Sequence, residues 1–449
     1  MIDYDKKRLE IAGLKVDTYT NAQLLEVLAK RLAAKERTFL VTVYSEFLRY
    51  SLLHEDILEL LNGANISVPD GIAIPWAEQY LRKRLRFQNY YLKILESVVY
   101  MASSLARIVL IPKSYRTVFP EKIVGADLVW DLAKLCEQQK LSLFLLGGFG
   151  DTPKIVSEKL KEKFPNLDVW FSNRHPHEQV IVDEIRNSRA AVVLVAYGPL
   201  KQERWIAQHK DAAGALLYIG VGGTFDYIAG KYKTPPKLLR RIGLEWFWRL
   251  VTQPNPTRIR RVFQATFGLM LALLRYKVFS SLPQRRAVVS VITNEQGQVL
   301  LGRRNPQFKF AKHFGVMRAL ESHWQFPQGG KGQNEDLESA CRREAQAELG
   351  LKSMEFVKVL EAQTSYVWNN AIRPLWLNKG YRYRGQILNF VHFTTTETPK
   401  PDMDQFVELH WVDATDIISL IHPKKLHLAE IVLTYLQTKH EKKEDQPKI

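Results

Sequence analysis

The chain has 449 residues, enough for roughly three domains of about 150 residues each, so a single core is not expected. Hydrophobic residues make up 46% and charged residues 25%, which excludes wholesale disorder, a collagen-like repeat and a polytopic membrane protein. Sixty-four basic against 47 acidic residues give a net charge of +17, and the 2 cysteines, Cys136 and Cys341, are too far apart for a paired zinc motif or a disulfide framework, which points to a reducing cytosol.

The N-terminus, MIDYDKKRLEIAGLKVD, has no apolar run followed by a small-residue cleavage site, so secretion is not expected. Six apolar runs follow: RTFLVTVY (37–44), ISVPD (66–70), LSLFLLGG (141–148), LDVWF (167–171), AAVVLVAYG (190–198) and ALLYIGVGG (215–223). Polar, helix-compatible sequence follows each one, which predicts an α/β fold with a parallel sheet covered on both faces. Such sheets bind ligands at the carboxyl ends of their strands. The unusual residues fall there: Asp70-Gly71, Gly147-Gly148, Gly198 with Lys201-Gln202-Glu203, and Gly222-Gly223 with Asp226. Glycine after a strand permits a tight turn and close approach of the backbone to a diphosphate. Taken singly each is equally an ordinary turn, so the weight lies in their shared placement.

The positive charge is concentrated. Residues 81–122 carry nine Lys/Arg against two acidic residues, and residues 231–286 carry thirteen against Glu245 alone, which leaves the remainder slightly acidic. Both segments contain apolar stretches, SVVYMASSLA (97–106) and FGLMLALL (267–274), shorter than the about 20 residues that a bilayer crossing needs. In the second, Phe263, Phe267, Met270, Leu271 and Leu274 recur at helical spacing, with Arg258, Arg260, Arg261, Arg275 and Lys277 at the ends. That is the pattern of an interfacial amphipathic helix, although a core helix or a dimer seam has the same periodicity. No nucleic-acid module is legible, and apolar sequence beside arginines favours anionic lipid over nucleic acid.

After residues 280–283 the pattern changes. RRAVVSVITNEQGQVLLGRR (285–304) reads as two strands joined at a Gln-Gly turn, followed by WQFPQGGKGQNEDLESACRREAQAELGL (324–351). Glu344 and Glu348, four apart on a predicted helix, share one face, where two carboxylates can hold Mg²⁺ or Mn²⁺ against a diphosphate. The expected organisation is a first domain over 1–255, a basic amphipathic helix or linker over 256–283, a second domain over 284–440, and a charged, disordered tail over 441–449.

Seven blocks, VTVYSEFL, ISVPDGIAI, EKIVGADL, FLLGG, AYGPLKQERWI, IGVGGTFDYIAGKYKTPPKLLRRIGLEWFWRL and TQPNPTRIRR, in order over about residues 10–262, resemble the TagA/WecG/CpsF glycosyltransferases (glycosyltransferase family 26). The resemblance implies a Rossmann-like α/β domain and an inverting, metal-independent transfer that needs no cofactor. An N-acetylmannosamine-type sugar would move from a UDP donor to a polyprenyl-diphosphate-linked acceptor sugar, for a surface polysaccharide or teichoic acid. The protein would be cytoplasmic and peripheral at the inner face of the cell membrane, a homo-oligomer being compatible, with no nucleic-acid partner. Inverting transfer needs one carboxylate to take the acceptor hydroxyl proton. The resemblance makes Asp70 that base with Thr42 beside it, and Gly147, Gly148, Gly198, Gln202, Glu203, Gly222, Gly223 and Asp226 the donor-binding residues. Arg240, Arg241, Arg249, Arg258, Arg260 and Arg261 become diphosphate- and lipid-binding residues of a membrane-facing helical appendage. Three positions depart from the family pattern: Tyr44 stands where Asn is frequent, Ala73 where Gly is, and Leu200 where Pro is. Tyr44 bears most directly on which sugar is transferred. The segment around 81–120 is longer than in a minimal member and reads as an added membrane-facing element.

The later segment resembles the Nudix box, G-x5-E-x7-R-E-U-x-E-E-x-G-U, through Gly329, Glu335, Arg343, Glu344, Glu348, Gly350 and Leu351. This implies an α+β Nudix fold, a metal on Glu344 and Glu348, and pyrophosphohydrolase chemistry. Ala347 replaces the first glutamate of the E-E pair and Ala345 an aliphatic residue, so weakened metal binding is expected. WQFPQGG, YRGQ (383–386) and FVELHWVD (406–413) resemble the dinucleoside-polyphosphate and RNA-pyrophosphohydrolase branch, with Trp324 and Phe326 as base-stacking or core residues. Two other readings stand beside the bifunctional one: a Mg-dependent Nudix hydrolase tethered by a degenerate transferase domain, and a non-catalytic membrane scaffold.

Overall fold

The computed structural model describes residues 8–111, 118–121, 123, 125–232, 236, 245–252, 255–305, 324–368 and 383–444. The first of its two units, Met1–Ser281, opens on an antiparallel hairpin, β1 (Arg8–Ile11) and β2 (Leu14–Asp17). The buried Asp17 carboxylate ends that hairpin, held by Arg8 at 2.8 and 2.9 Å and by the Ser67 amide at 2.8 Å. Helix α1 (Asn21–Ala33) starts at a capping box in which Thr20 and Gln23 satisfy each other's backbone N–H.

The six apolar runs form β3 (Thr38–Val43), β4 (Ile66–Pro69), β5 (Leu143–Gly147), β6 (Val169–Ser172), β7 (Val192–Ala196) and β8 (Leu217–Gly220). They pair in parallel in the order β4-β3-β8-β7-β5-β6. Alternation along each strand divides the core in two. Phe144, Leu146, Val193 and Val195 face one layer, while Leu143, Leu145, Val192 and Leu194 face the other. Around the sheet lie α2 (Ser45–Leu53), α3 (Glu55–Asn62), α4 (Ala73–Arg82), α5 (Tyr90–Leu110), α6 (Gly125–Gln139), α7 (Thr152–Lys163), α8 (Val180–Ser188), α9 (Lys201–Ala213) and α10 (Thr224–Ala229). From β3 the chain steps to β4 on one side and later fills β8 on the other, so the switch point of this Rossmann-like sheet lies between β3 and β8.

The unit ends on α11 (Glu245–Thr252) and on α12 (Pro256–Phe263), which runs through a π-helical turn, Gln264–Gly268, into α13 (Leu269–Ser280). The apolar stretch at 267–274, too short alone to cross a bilayer, belongs to a longer helix. Ile259–Ser280 has 22 residues, and an 18-residue window within it has a mean hydropathy of 1.3, long and apolar enough to span by length and composition. One face of it is committed elsewhere: Leu269, Ala272 and Leu273 join the core cluster with Phe47 and Leu48 of α2, so the later part of the 256–283 segment is part of the globule. Ile259, Phe263, Phe267 and Leu271, four apart in turn, stay exposed, with the Phe263 and Phe267 rings 5.1 Å apart. On α5, which packs on α13, Tyr91, Leu92, Leu95, Val98 and Val99 are exposed as well.

In the second unit, Leu282–Ile449, the turn at 294–298 joins β9 (Arg285–Thr293) to β10 (Val299–Arg304), with Gly297 at φ +81°. The two strands part at once, pairing only at Thr293 and Val299. β9 instead pairs in parallel with β14 (Gly385–Thr394) and antiparallel with β12 (Gln328–Gly330), while β10 takes β11 (Trp324–Gln325) and β15 (Phe406–Val412), and β13 (Glu355–Val367) completes a mixed sheet on β14. α14 (Leu337–Leu349) covers one face through Ala340, Cys341 and Ala345. α15 (Ile417–Leu420) and α16 (Leu426–Glu444) cover the other through Ile417, Ala429 and Val432. The disordered tail expected from 441 is corrected over its first four residues, because Glu441, Lys442, Lys443 and Glu444 are good helix formers and extend α16. Residues 445–449 lie outside the described residues.

Candidate active sites

Asp70 follows β4, its amide donating to the Val43 carbonyl at 2.7 Å, so it sits one strand from Thr42, a buried residue of β3. Gly71, at φ +82°, turns the chain away. A Cβ on Gly125, the first residue of α6, would stand 3.7 Å from Asp70 Oδ2 and 3.9 Å from Thr224 Oγ1, which places the starts of α6 and α10 around this carboxylate. Tyr44 caps α2 with its ring 4.5 Å from Phe47. Burial, then the Glu46, Glu203 and Asp70 carboxylates, hold its hydroxyl well above the usual phenol range, with Arg261 opposing. Tyr44 is therefore a neutral O–H within electrostatic reach of Asp70, Glu203 and Arg261. Glu46 grips Arg261 by two contacts, 2.7 Å from Nη2 and 3.3 Å from Nε, which brings α12 to this place.

Gln202 and Glu203 are buried beneath the neighbouring turn. Gln202 accepts from the Gly222 amide at 3.0 Å and donates to Glu203 Oε1 at 2.8 Å, while Glu203 Oε2 accepts from the Leu200 amide at 2.7 Å. Burial raises the Glu203 carboxyl to about 7. Their direct work is to fix the Gly222 turn against α9. Gly220 must lack a side chain here, since a Cβ would lie 2.4 Å from Gln202 Nε2. Leu200 holds φ +64°, a conformation closed to the proline common at that place in the family, and its N–H is the one that Glu203 takes. Gly147 and Gly148, at φ +85° and +95°, and Gly198, at φ +85°, form turns on the same rim; Gly223 precedes α10 at an ordinary negative φ. Asp226 faces Lys231 at 3.7 Å.

Of the six arginines, Arg261 reaches the Tyr44 cluster and Arg260 is exposed on α12. Arg249 and Arg258 lie on α11 and α12, and Arg240 and Arg241 lie outside the described residues. Glu46, Gly125, Thr224 and Lys231 were not singled out from sequence. Glu46, three residues past the end of β3 on the same rim, carried the one usable signal.

In the second unit Gly329, on β12, lies against Glu344 so closely that a Cβ would stand 2.0 Å from its Cδ. Arg343 bridges Glu335, at 2.8 and 2.9 Å, to Glu344, at 2.6 Å, and donates to the Gly330 carbonyl at 2.7 Å. The guanidinium, with the Gly332 amide, lowers the Glu335 carboxyl to about 2. Glu348 is raised to about 8, first by burial and then by Glu344, with Arg304 opposing and Asp402 adding to the rise. Gly350 ends α14 at φ +68°. No group of three His, Cys, Asp or Glu able to hold a metal occurs among the described residues. The pair Glu344 and Glu348 is all-oxygen and suits a hard cation that keeps water and takes phosphate oxygens for its other positions. Phe326 is core, while Trp324 is partly exposed with its ring 4.6 Å from His410.

Comparison with known proteins agrees with this division. The "Glycosyl transferase WecG/TagA/CpsF family" matches residues 9–111 and 93–282, and the "NUDIX domain" matches 283–435. The N-acetylglucosaminyldiphosphoundecaprenol N-acetyl-beta-D-mannosaminyltransferase of Staphylococcus aureus (strain NCTC 8325 / PS 47) is 24% identical over 249 residues, 54% of this chain and 84% of that protein. Among solved structures, the MutT protein of Methanosarcina mazei Go1 is 18% identical over 35% of this chain and 96% of its own, with a TM-score of 0.26. An Ap4A hydrolase binary complex of C. elegans is 14% identical over 34% and 98%, with a TM-score of 0.25. The family matches cover both units in turn, and the chain belongs to the WecG/TagA/CpsF glycosyltransferase family, with a NUDIX domain following in the same polypeptide.

Proposed function

We propose that the first unit transfers an N-acetylmannosamine-type sugar from a UDP donor to an acceptor sugar on a polyprenyl diphosphate, with inversion at the anomeric carbon. The observation that carries this is the strand-end geometry: Asp70 follows β4 with its amide on the Val43 carbonyl of β3, and Glu46, three residues past β3, holds Arg261 at 2.7 Å. Asp70 takes the proton of the attacking hydroxyl, and Arg261, fixed by Glu46, stabilises the charge that grows on the departing diphosphate. The glycine turns let backbone approach that diphosphate. The test is incubation with UDP-N-acetylmannosamine and lipid-linked N-acetylglucosamine in EDTA. Transfer by the wild type, lost in Asp70→Asn, supports the reading; transfer that needs a divalent ion or survives Asp70→Asn overturns it.

The membrane-facing part of the proposal rests on the apolar rows of α5 and α12–α13, flanked by exposed Lys83, Arg84, Arg86, Arg107, Arg260 and Arg275. An apolar stripe with basic flanks lies in the interface of an anionic bilayer. Because α13 is part of the core, the protein is peripheral in this reading.

For the second unit the favoured activity is pyrophosphate hydrolysis of a nucleoside-linked substrate. The network Glu335–Arg343–Glu344 against Gly329 supports it. Glu344 and Glu348 would hold Mg²⁺ or Mn²⁺, which when bound neutralises phosphate charge and polarises water. Ala347 leaves that site one carboxylate short, so turnover is weak. Cleavage of dinucleoside polyphosphates into two mononucleotides with Mg²⁺, abolished in Glu344→Gln, tests it.

A further inference from the structure

The connection from β5 to α7 carries a feature that neither the transfer chemistry nor the core uses. Phe149 lies between Gly148 and Gly150 and is 85% exposed. Its backbone is held firmly. The Phe149 carbonyl accepts from Thr152 Oγ1 at 2.6 Å and from Lys231 Nζ at 3.2 Å, and the next carbonyl, of Gly150, accepts from Asn173 Nδ2 at 3.1 Å. Gly147, Gly148 and Gly150 all have positive φ, so the loop takes a path that side chains would resist. On that path Gly147 lies against the Tyr197 ring, where a Cβ would stand 2.8 Å away. A bare aromatic ring on a fixed loop gains nothing for the fold, because burial is what makes a Phe stabilising.

Its place in the sheet says what it can meet. Asp70 follows β4 and Phe149 follows β5, both at carboxyl ends, and the order β4-β3-β8-β7-β5 puts four strand spacings between them. At about 4.8 Å each that is roughly 19 Å, a distance that an extended nucleoside diphosphate sugar bridges. Between the two ends lie the turns at Gly222 and Gly198. A ring that offers its face recognises the face of another planar ring. The residues that follow it, Gly150, Asp151 and Lys154, are exposed, and two of the three are charged.

We propose that Phe149 is the platform on which the donor's nucleobase stacks, setting the far end of the donor while Asp70 marks the sugar end. This rests on the reading of the first unit as a nucleotide-sugar transferase. Phe149 is a binding and positioning residue, so its loss raises the KM for donor and leaves kcat close to that of the wild type.

Calorimetry on the full chain in EDTA, which leaves out metal-dependent binding at the second unit, tests it with UDP and inorganic pyrophosphate as probes. Phe149→Ala is expected to weaken UDP binding about tenfold or more, while Phe149→Tyr and Phe149→Trp stay within about threefold. Pyrophosphate should bind all four proteins alike. An unchanged melting temperature excludes unfolding as the cause, as expected for an exposed side chain. UDP binding by Phe149→Ala equal to the wild type overturns the proposal and leaves the transferase reading standing. Failure of the wild type to bind UDP overturns both. Loss of binding to vesicles containing anionic lipid, with UDP affinity intact, assigns the ring to a membrane and overturns the platform.

Discussion

Arg261 and Glu46 are 215 residues apart in the chain, yet their side chains meet at 2.7 Å beside Tyr44. The pair ties α12 to the start of α2 and so sets a cation within electrostatic reach of Tyr44. Glu46→Gln should lower transferase kcat/KM about tenfold or more, because Arg261 loses its orientation. The stability cost should stay near about 1 kcal/mol or less, since Arg261 is half exposed. Arg261→Lys should not restore activity, because an ammonium cannot reproduce the two-point contact. Kinetics and thermal melts of the three proteins check this.

Burial raises the Glu203 carboxyl to about 7 from an ordinary 4.5. The folded chain therefore keeps a proton there that the unfolded chain has released. The stability linked to Glu203 is full below about 4.5 and is lost as pH rises through about 7. Thermal melts from about pH 5 to about pH 8 should show a decline in the wild type that is smaller in Glu203→Gln.

At the second unit a cation must displace the proton that burial keeps on Glu348 up to about 8. Mg²⁺ affinity should therefore rise with pH and level off near that value, a dependence absent from Glu348→Gln. Titration calorimetry across the range measures it. Ala347→Glu, at an exposed position of α14, should tighten Mg²⁺ binding and raise hydrolysis by supplying the missing carboxylate.

Phe263, Phe267 and Leu271 form one exposed row. Replacing all three by Ser should reduce flotation with anionic vesicles by about tenfold or more, and Leu95→Ser with Val99→Ser on α5 should add to the loss. Transfer to a water-soluble acceptor analogue should be nearly unchanged. Equal flotation of all variants would remove the membrane assignment of these helices.

The parallel sheet was readable because every strand but the edge strand β6 is a continuous apolar run buried on both faces, and most are closed by Gly or Asp. The β1–β2 hairpin was not, since RLEI and LKVD are too short to show a period and gain their stability from Arg8, Asp17 and Ser67. The turn at Gly297 was legible, whereas the parallel pairing of β9 with β14, about a hundred residues on, has no local signature. Motif matching gave Gln202 and Glu203 a place at the donor, and only coordinates put them beneath the Gly222 turn. The Glu46–Arg261 pair was invisible for the same reason as β14: long-range contacts leave no spacing to read.

Two lysines secure the end of α13. Lys277 donates to the Tyr80 carbonyl with its ammonium over the Tyr80 ring, and Lys93 of α5 donates to the Ser281 carbonyl at 2.7 Å. Helices fastened in this way cannot peel from the body to reach for a bilayer. If the first unit rests on lipid through them, as proposed, Asp70 would be held at one constant height above the headgroups, like a gauge. Only an acceptor hydroxyl at that height would then meet the proposed base, so chain position on the carrier would be measured by distance as well as by sugar chemistry.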